Sequence, residues 1–233
     1  MHDPNAAVPG WTPPPRPTRT VLEGRHVTLE PLSRAHLSQL HEANRQDDRI
    51  WVYLPYGPFT TEAEYGAWLD WAAASEDPLF FAIRPRSIGQ AQGVASYLRI
   101  APEAGSIEVG HINFAAPLQR TIAATEAMYL MMRWAFGAGY RRYEWKCNAS
   151  NFGSRRAAER LGFSFEGVFR QAAVIKGRNR DTAWFAAIDG EWPALEAAFE
   201  AWLSPENFDA DGHQRQSLSQ LTAPILAARD PTL

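Results

Sequence analysis

The chain has 233 residues, a formal net charge of −3 and 45% hydrophobic residues, which predicts one globular domain of mixed class with terminal extensions. The slightly acidic balance argues against a nucleic-acid partner, and the lack of an apolar run of about 18 residues argues against a membrane span. The single cysteine, Cys147, excludes an intramolecular disulfide. An N-terminus without a signal-peptide pattern then favours a cytoplasmic protein. No histidine lies at metal-ligand spacing from another histidine or cysteine, so we expect no metal site.

The composition changes twice along the chain and predicts three parts. Residues 1–19 are rich in proline and form an N-terminal arm. Residues 20–203 carry the regular hydrophobic patterns of a folded domain, and residues 204–233 form a polar C-terminal extension.

The first half of the domain begins with a strand, because polar and apolar residues alternate in Arg25–Leu32. A helix is predicted over 34–44, followed by an aromatic, proline-bearing loop at Trp51–Phe59. Thr61 and Glu64 have the spacing of a capping box, which predicts the start of a second helix.

Three strands are predicted next, at Leu79–Arg84, Val94–Ile100 and Ser106–Phe114. Strict alternation along the third strand puts Ile107, Val109, His111 and Asn113 on one face. Glu108 is then expected on the opposite face from His111.

The second half alternates helices and strands, which predicts an α/β (mixed α+β) fold with helices on the faces of a mixed sheet. Its predicted elements are a helix from about Thr121 to Gly137, a strand at Tyr140–Cys147, a helix at Asn151–Leu161, strands around Ser164–Ile175 and Thr182–Ile188, and a helix at Glu191–Leu203.

Two helix starts carry the chemistry that the sequence suggests. Leu118–Ala127 (LQRTIAATEA) has no acidic residue before Glu126 and opens an apolar helix. Such a helix start presents free backbone N–H groups and a positive dipole end to an anion. In Asn151–Gly167 (NFGSRRAAERLGFSFEG), Asn151 and Ser154 share one face of a second helix start. Both are also good helix-capping residues, so capping alone would explain them.

With these two motifs, the order of elements from about Thr20 to Leu203 resembles the GNAT (Gcn5-related) N-acetyltransferase superfamily, and most of all its ribosomal-protein N-terminal acetyltransferase branch. The GRNRDTAWF run at 177–185 adds to the resemblance. The usual pyrophosphate loop of that superfamily, Q/R-x-x-G-x-G/A, would be Gln119-x-x-Ile122-x-Ala124 here. Ile122 replaces the central glycine, which is a departure from the pattern.

The resemblance implies a mixed, mostly antiparallel sheet with helices on both faces and a splayed strand pair. Gly110–Phe114 would diverge from Tyr143–Cys147, and the pantetheine arm of acetyl-CoA would enter the gap. The phosphates would lie on the first of the two helix starts. The residues expected to bind the coenzyme are Ile112, Asn113, Phe114, Gln119, Arg120, Thr121, Ile122, Ala123, Ala124, Thr125, Asn151 and Ser154.

The same resemblance implies direct attack of an amine on the thioester, with a general base and a proton donor. In many members of the superfamily that this chain resembles, a tyrosine of this helix protonates the leaving thiolate. No tyrosine occurs between Asn151 and Phe163, so Ser154, the polar hydroxyl left on that helix face, is the candidate donor. Glu108 and His111 are the candidate bases. Alternatively, Glu108 is a surface or ion-paired residue, His111 is a hydrogen-bonded polar group under the helix, and the amine proton goes to bulk water. Cys147 is either a nucleophile that forms an acyl-enzyme or a small residue of the core.

The resemblance implies that the acceptor is a primary amine of a protein N-terminus or of a small molecule. Trp51, Tyr53 and Tyr56 would either wall its pocket or clasp the core, and the basic run Lys176–Arg180 would either meet an acidic acceptor or coenzyme phosphate or be solvated. A non-catalytic acyl-CoA sensor and an interaction module remain the alternatives to an enzyme. We expect a monomer or homodimer with no nucleic-acid or membrane partner.

Overall fold

A single eight-stranded sheet forms the centre of the computed structural model, which describes residues 5–233; residues 1–4 of the predicted arm lie outside the described residues. The strands are β1 (Leu22–Glu23), β2 (Val27–Pro31), β3 (Leu79–Pro85), β4 (Gly93–Ala101), β5 (Ser106–Phe114), β6 (Arg142–Asn148), β7 (Ser164–Ile175) and β8 (Arg178–Ile188). Their order in the sheet is β1-β2-β3-β4-β5-β6-β8-β7. Neighbouring strands are antiparallel except β5 and β6, which are parallel.

Helices cover both faces of this sheet, which confirms the predicted fold class. They are α1 (Leu37–Asn44), α2 (Glu62–Ala74), α3 (Ile122–Gly137), α4 (Phe152–Arg160), α5 (Trp192–Leu203) and α6 (Leu218–Thr222). The capping box at the start of α2 is present, with Thr61 and Glu64 in the reciprocal bonds that the sequence predicts. Within residues 5–233, no helix has both the length and the apolar character needed to cross a membrane.

The sheet separates two hydrophobic layers. One contains the apolar sides of α3 and α5, and Phe81 of β3 is buried in it. The other lies under α1 and α2 and contains Phe80 and Leu69. The neighbouring residues Phe80 and Phe81 therefore point to opposite layers, as strand geometry requires.

The parallel strands β5 and β6 pair over only part of their length. Their register runs from Ser106 opposite Arg142 to Val109 opposite Trp145. Beyond that point the stretch Gly110–Phe114 pairs only with β4, so a gap opens between the two strands. The splayed strand pair that the resemblance implied is thus present.

A bulge in β5 lies at the mouth of this gap. Gly110 pairs with Ser96 and Asn113 with Val94, so two residues of β5 face one residue of β4. His111 takes a left-handed backbone conformation with φ of 50°, the kind of local disruption by which a bulge redirects side chains.

The bulge overturns one expectation about β5. Ile107 and Ile112 pack in the layer under α3, whereas His111 stacks on Tyr56 and contacts Phe80 in the layer under α2. His111 therefore lies on the same face as Glu108, and the predicted opposite placement is wrong. The extra residue in the strand shifts the period-two pattern by one position.

The segment after α5 folds back onto the domain. Leu218 and Thr222 of α6 are fully buried. The carboxylate of Asp230 accepts a hydrogen bond of 2.6 Å from Nε of Arg155 on α4, and both side chains are buried. This segment therefore packs directly against the helix that carries Ser154.

Candidate active site

A cavity of about 1280 Å³ occupies the gap between β5 and β6 and continues to the starts of α3 and α4. Its walls include Gly110–Phe114 of β5 and the end of β6 from Trp145 to Asn148. In the described part of the chain, Glu108 is the one acidic residue in its lining, and the basic lining residues are Arg49, Arg99, Arg120, Lys146, Arg160 and Arg180. The cavity is thus strongly basic although the whole chain is slightly acidic, which suits anionic ligands.

The start of α3 has the geometry of an anion-binding helix terminus. Thr121 is the N-cap, and its Oγ1 accepts the N–H of Ala124 at 3.1 Å. The N–H groups of Ile122 and Ala123 precede the first intrahelical bond and have no acceptor within the helix. The left-handed residue of this loop is Arg120, with φ of 61°. Ile122 is not among the residues with positive φ, so its backbone does not require the glycine of the usual pattern.

Arg160, at the end of α4, was not predicted from the sequence. Its guanidinium donates to Oγ1 of Thr125 at 3.1 Å and lies over the ring of Trp202 at 5.1 Å. No carboxylate of residues 5–233 lies within 4.0 Å of it, and burial lowers the pKa of Arg160. A desolvated guanidinium beside a helix start favours an anionic ligand such as a phosphate.

The C-terminal segment completes this end of the cavity, which the sequence did not predict either. Phe208 and the stretch 212–214 belong to the lining. Gln214 is held there because its Oε1 accepts the indole N–H of Trp202 at 2.8 Å. No local sequence pattern indicates that Phe208 or Gln214 lines the cavity, because both are far along the chain from the loop at 119–125.

Ser154 lies in the first turn of α4, where three neighbours fix its position. Its backbone N–H donates to Oδ1 of the N-cap Asn151 at 3.1 Å, so Asn151 does cap the helix. The indole N–H of Trp145 donates to Ser154 Oγ at 3.0 Å. Cys147 is the third neighbour; burial raises the pKa of its thiol, and a hydrogen bond with Ser154 lowers it by less. The thiol is therefore protonated near neutral pH.

Glu108 is buried in the cavity wall between two cations. One guanidinium nitrogen of Arg99 lies 2.8 Å from its carboxylate, and Nζ of Lys146 lies 2.9 Å from it. Burial raises the pKa of Glu108, and the attraction of Arg99 and Lys146 only partly offsets this. Glu108 is thus ion-paired, which was the alternative to a general base, and it is also more basic than an exposed carboxylate.

His111 faces the same side of the cavity as Glu108. Its Nδ1 and the hydroxyl of Tyr56 are hydrogen-bonded at 3.1 Å, and the two rings are stacked at 5.6 Å. Burial first, and then the charges of Arg99 and Arg180, lower the pKa of His111 to about 4. The imidazole is therefore neutral at pH 7 and a weak base.

The comparisons with known proteins agree with this geometry. The family described as Acetyltransferase (GNAT) domain matches residues 26–164, which is more than half of the chain. This chain belongs to the GNAT acetyltransferase family. Among curated protein sequences, none matches it.

Solved GNAT structures share the fold over most of the chain. A GCN5-related N-acetyltransferase from Brucella melitensis is 48% identical, with a TM-score of 0.90, and the alignment covers 93% of this chain and 100% of that one. A probable GNAT acetyltransferase from Chromobacterium violaceum is 39% identical, with a TM-score of 0.78 and coverage of 83% and 98%. RimL, a ribosomal L7/L12 α-N-protein acetyltransferase, is 20% identical, with a TM-score of 0.64 and coverage of 77% and 99%. That last likeness shows the fold alone, so the ribosomal-protein branch stays a prediction.

The aromatic loop that was predicted to wall the acceptor pocket contributes one residue to the cavity lining. Tyr53 belongs to the lining, and its hydroxyl donates to the carbonyl of Ser150 at 3.1 Å. Trp51 is buried in the layer under α2, and Tyr56 packs beneath His111. The aromatic loop therefore provides both a cavity wall and a clasp over the core.

Asn113 is the predicted coenzyme residue with the clearest unmet bonding capacity. Its side chain is buried and lines the cavity. Neither its amide nitrogen nor its amide oxygen has a hydrogen-bond partner among residues 5–233. Because an unpaired buried amide is costly, a bound ligand that pairs with it would gain from that contact.

Proposed function

We propose that this GNAT acyltransferase moves an acetyl group from acetyl-CoA to a primary amine, either of a protein N-terminus or of a small molecule. One observation carries the proposal: the gap between β5 and β6 is continuous with the start of α3. An extended pantetheine arm matches the unpaired strand edge, and a pyrophosphate matches the helix start.

The coenzyme contacts follow from this arrangement. The stretch 112–114 would pair with the pantetheine amides, with the free side-chain amide of Asn113 as a further contact. The loop 119–125 would hold the pyrophosphate through its N–H groups, and Arg160 would add a charge-assisted bond to a phosphate. Asn151 would contact the coenzyme through the part of its amide that capping leaves available.

Direct attack is the chemistry that these residues support. The amine nitrogen forms a bond to the thioester carbonyl carbon, the carbon–sulfur bond breaks, and CoA leaves as a thiolate. Glu108 accepts the amine proton, directly or through a water, and a backbone N–H on the edge of the stretch 110–114 that faces the gap stabilises the oxyanion. Ser154, whose oxygen accepts the bond from Trp145, passes its hydroxyl proton to the thiolate and regains one from water, while Glu108 returns the amine proton to solvent.

A covalent route through Cys147 is disfavoured by its surroundings. Burial raises the pKa of the thiol, whereas nucleophilic cysteines have a lowered pKa. Cys147 is better explained as a small residue packed against the layer under α3.

The proposal is tested by calorimetric titration of acetyl-CoA and CoA into cofactor-free protein, with hydrogen exchange on the same samples. We expect a Kd near the micromolar range, about −8 kcal/mol, and protection of the 118–126 amides. Release of free CoA on addition of amines then tests transfer. Absence of binding and of protection would refute the proposed function.

A non-catalytic acyl-CoA sensor is the second candidate, because Ile122 stands where the family pattern has glycine. The same titration would succeed for such a sensor, but no amine would release CoA above the background rate. Amine-dependent CoA release therefore decides between the two candidates.

A further inference from the structure

The cavity that contains Glu108 also contains a guanidinium with no ion-pair partner in the described part of the chain. Arg180 of β8 is half-buried, and its Nε donates to Oγ1 of Thr182 at 3.2 Å. Within residues 5–233, no carboxylate comes within 4.0 Å of this guanidinium. Burial lowers the pKa of Arg180, and the attraction of the more distant Glu108 offsets this only in part. An unpaired, desolvated guanidinium is costly unless a ligand supplies the anion.

The neighbouring carboxylates are already engaged elsewhere. Glu108 binds Arg99 and Lys146. Glu144 binds Lys146 at 2.7 Å and also Arg142. No other carboxylate lines this cavity in the described part of the chain, so Arg180 has no ion-pair partner of its own there.

Arg180 lies on the Glu108 side of the sheet. Trp184 is opposite Lys146 in the register, and the ammonium of Lys146 lies 3.8 Å from the centre of its ring. Arg180 is four residues before Trp184 on the same strand, so the two side chains share a face. Arg160, in contrast, packs on Trp202 of α5, in the opposite layer. Arg180 therefore lies on the opposite face of the sheet from Arg160 and from the start of α3, the proposed phosphate site.

We propose that the amine acceptor carries a carboxylate or phosphate close to its amino group, and that Arg180 binds this anion. The inference rests on the proposed function, since it assigns the second substrate of the same site. An acceptor anchored in this way would direct its amine toward Glu108, which shares the face and the cavity. Arg180 is then a specificity residue that touches substrate.

Matched pairs of amines test the charge requirement. Glycine and glycinamide, O-phosphoethanolamine and ethanolamine, and the C-terminally amidated dipeptides Ser-Asp and Ser-Asn differ in one anionic group; the dipeptides distinguish a peptide side chain from a small free acid. Each is titrated calorimetrically into the full chain saturated with CoA, and kcat/KM is measured with acetyl-CoA. We expect the anionic member of at least one pair to be favoured about tenfold or more.

Three variants assign that preference to one residue. Arg180→Gln should remove the preference, and Arg180→Lys should keep part of it because the charge remains. Arg156→Gln, at an exposed position of α4 outside the cavity lining, should leave the preference unchanged. Thermal melts of all variants check that the fold is retained.

Three results would overturn the inference. They are equal use of charged and neutral partners, failure of every anionic amine to bind, and an Arg180→Gln variant that weakens acetyl-CoA rather than the acceptor. In each case intact acetyl-CoA binding by the unmodified protein would leave the proposed function standing. Loss of acetyl-CoA binding itself would refute the proposed function instead.

Discussion

The indole N–H of Trp145, near the end of β6, donates to Oγ of Ser154 in the first turn of α4 over 3.0 Å. This bond ties the splayed strand to the helix that follows it, and it holds the serine at the cavity wall. The bond fixes the position of the hydroxyl oxygen, as the proposed role of Ser154 as a proton donor requires.

Replacing Ser154 with alanine should lower kcat about 100-fold, because general acid catalysis typically contributes at least that factor. The acetyl-CoA affinity should change little, since the backbone cap by Asn151 is retained. Steady-state kinetics and titration separate the two effects. Ser150→Ala, an exposed position two residues before α4, is the matched control and should behave like the unmodified protein. An unchanged kcat in Ser154→Ala would remove the serine from the mechanism.

Glu108→Gln should remove the acid limb of the pH profile of kcat/KM. In the unmodified protein, activity should rise as the carboxyl loses its proton, with a midpoint above the ordinary value of 4.5 because burial raises this pKa. The glutamine cannot accept the proton, so we expect a loss of about 100-fold or more. Glu103→Gln, in an exposed turn before β5, should keep the limb. A profile of the same shape in Glu108→Gln would exclude Glu108 as the base and leave His111 and bulk water.

The depressed pKa of His111 predicts a loss of stability in acid. The unfolded chain takes up this proton near pH 6.5 and the folded chain only near pH 4. The unfolding free energy should therefore fall as pH drops from 6.5 to 4, by up to about 3 kcal/mol. Above pH 6.5 this contribution is fully present.

Urea unfolding of His111→Asn across that pH range measures the effect. Asparagine tolerates the left-handed backbone at this position, so the variant should show a shallower acid slope. His213→Asn, whose side chain is 80% exposed, should retain the full slope. Equal slopes in the two variants would contradict the assignment to His111.

Arg160→Gln should raise the Kd for acetyl-CoA about tenfold or more, because a charge-assisted bond to phosphate is lost. Arg156→Gln lies on the exposed side of the same helix and controls for the general change in charge. Calorimetry at two salt concentrations adds a second criterion, since the advantage of Arg160 should shrink as ionic strength rises. Equal affinities in the two variants would place the phosphates elsewhere.

Asp230→Asn should lower the unfolding free energy by about 3 kcal/mol, because it leaves Arg155 buried with an uncompensated charge. Since Arg155 is on α4, the acetyl-CoA affinity should fall as well. Thermal and urea unfolding give the first quantity and titration the second. Asp211→Asn, at an exposed position of the same segment, should change neither. A small effect at Asp230 would mean that the C-terminal segment is held by other contacts.

Capping and periodicity are local, and this is why the order of the elements and both helix starts follow from the sequence. Each capping bond joins groups within three residues along the chain, as at Thr61 with Glu64, at Thr121 and at Asn151. The splayed pair came from the resemblance rather than from the pattern, and the register of β5 and β6 confirms it.

Long-range contacts decided the rest. The face of His111 depends on a bulge that exists only where β5 pairs with β4. Arg160 and Gln214 enter the cavity because α5 and the C-terminal segment fold back beside α4. The unpaired charge of Arg180 exists because Glu108 and Glu144 bind other cations. The sequence by itself therefore determined the local elements and the binding loops, and only the tertiary structure decided which charges meet, because strand pairing and side-chain partners join residues that are far apart in the chain.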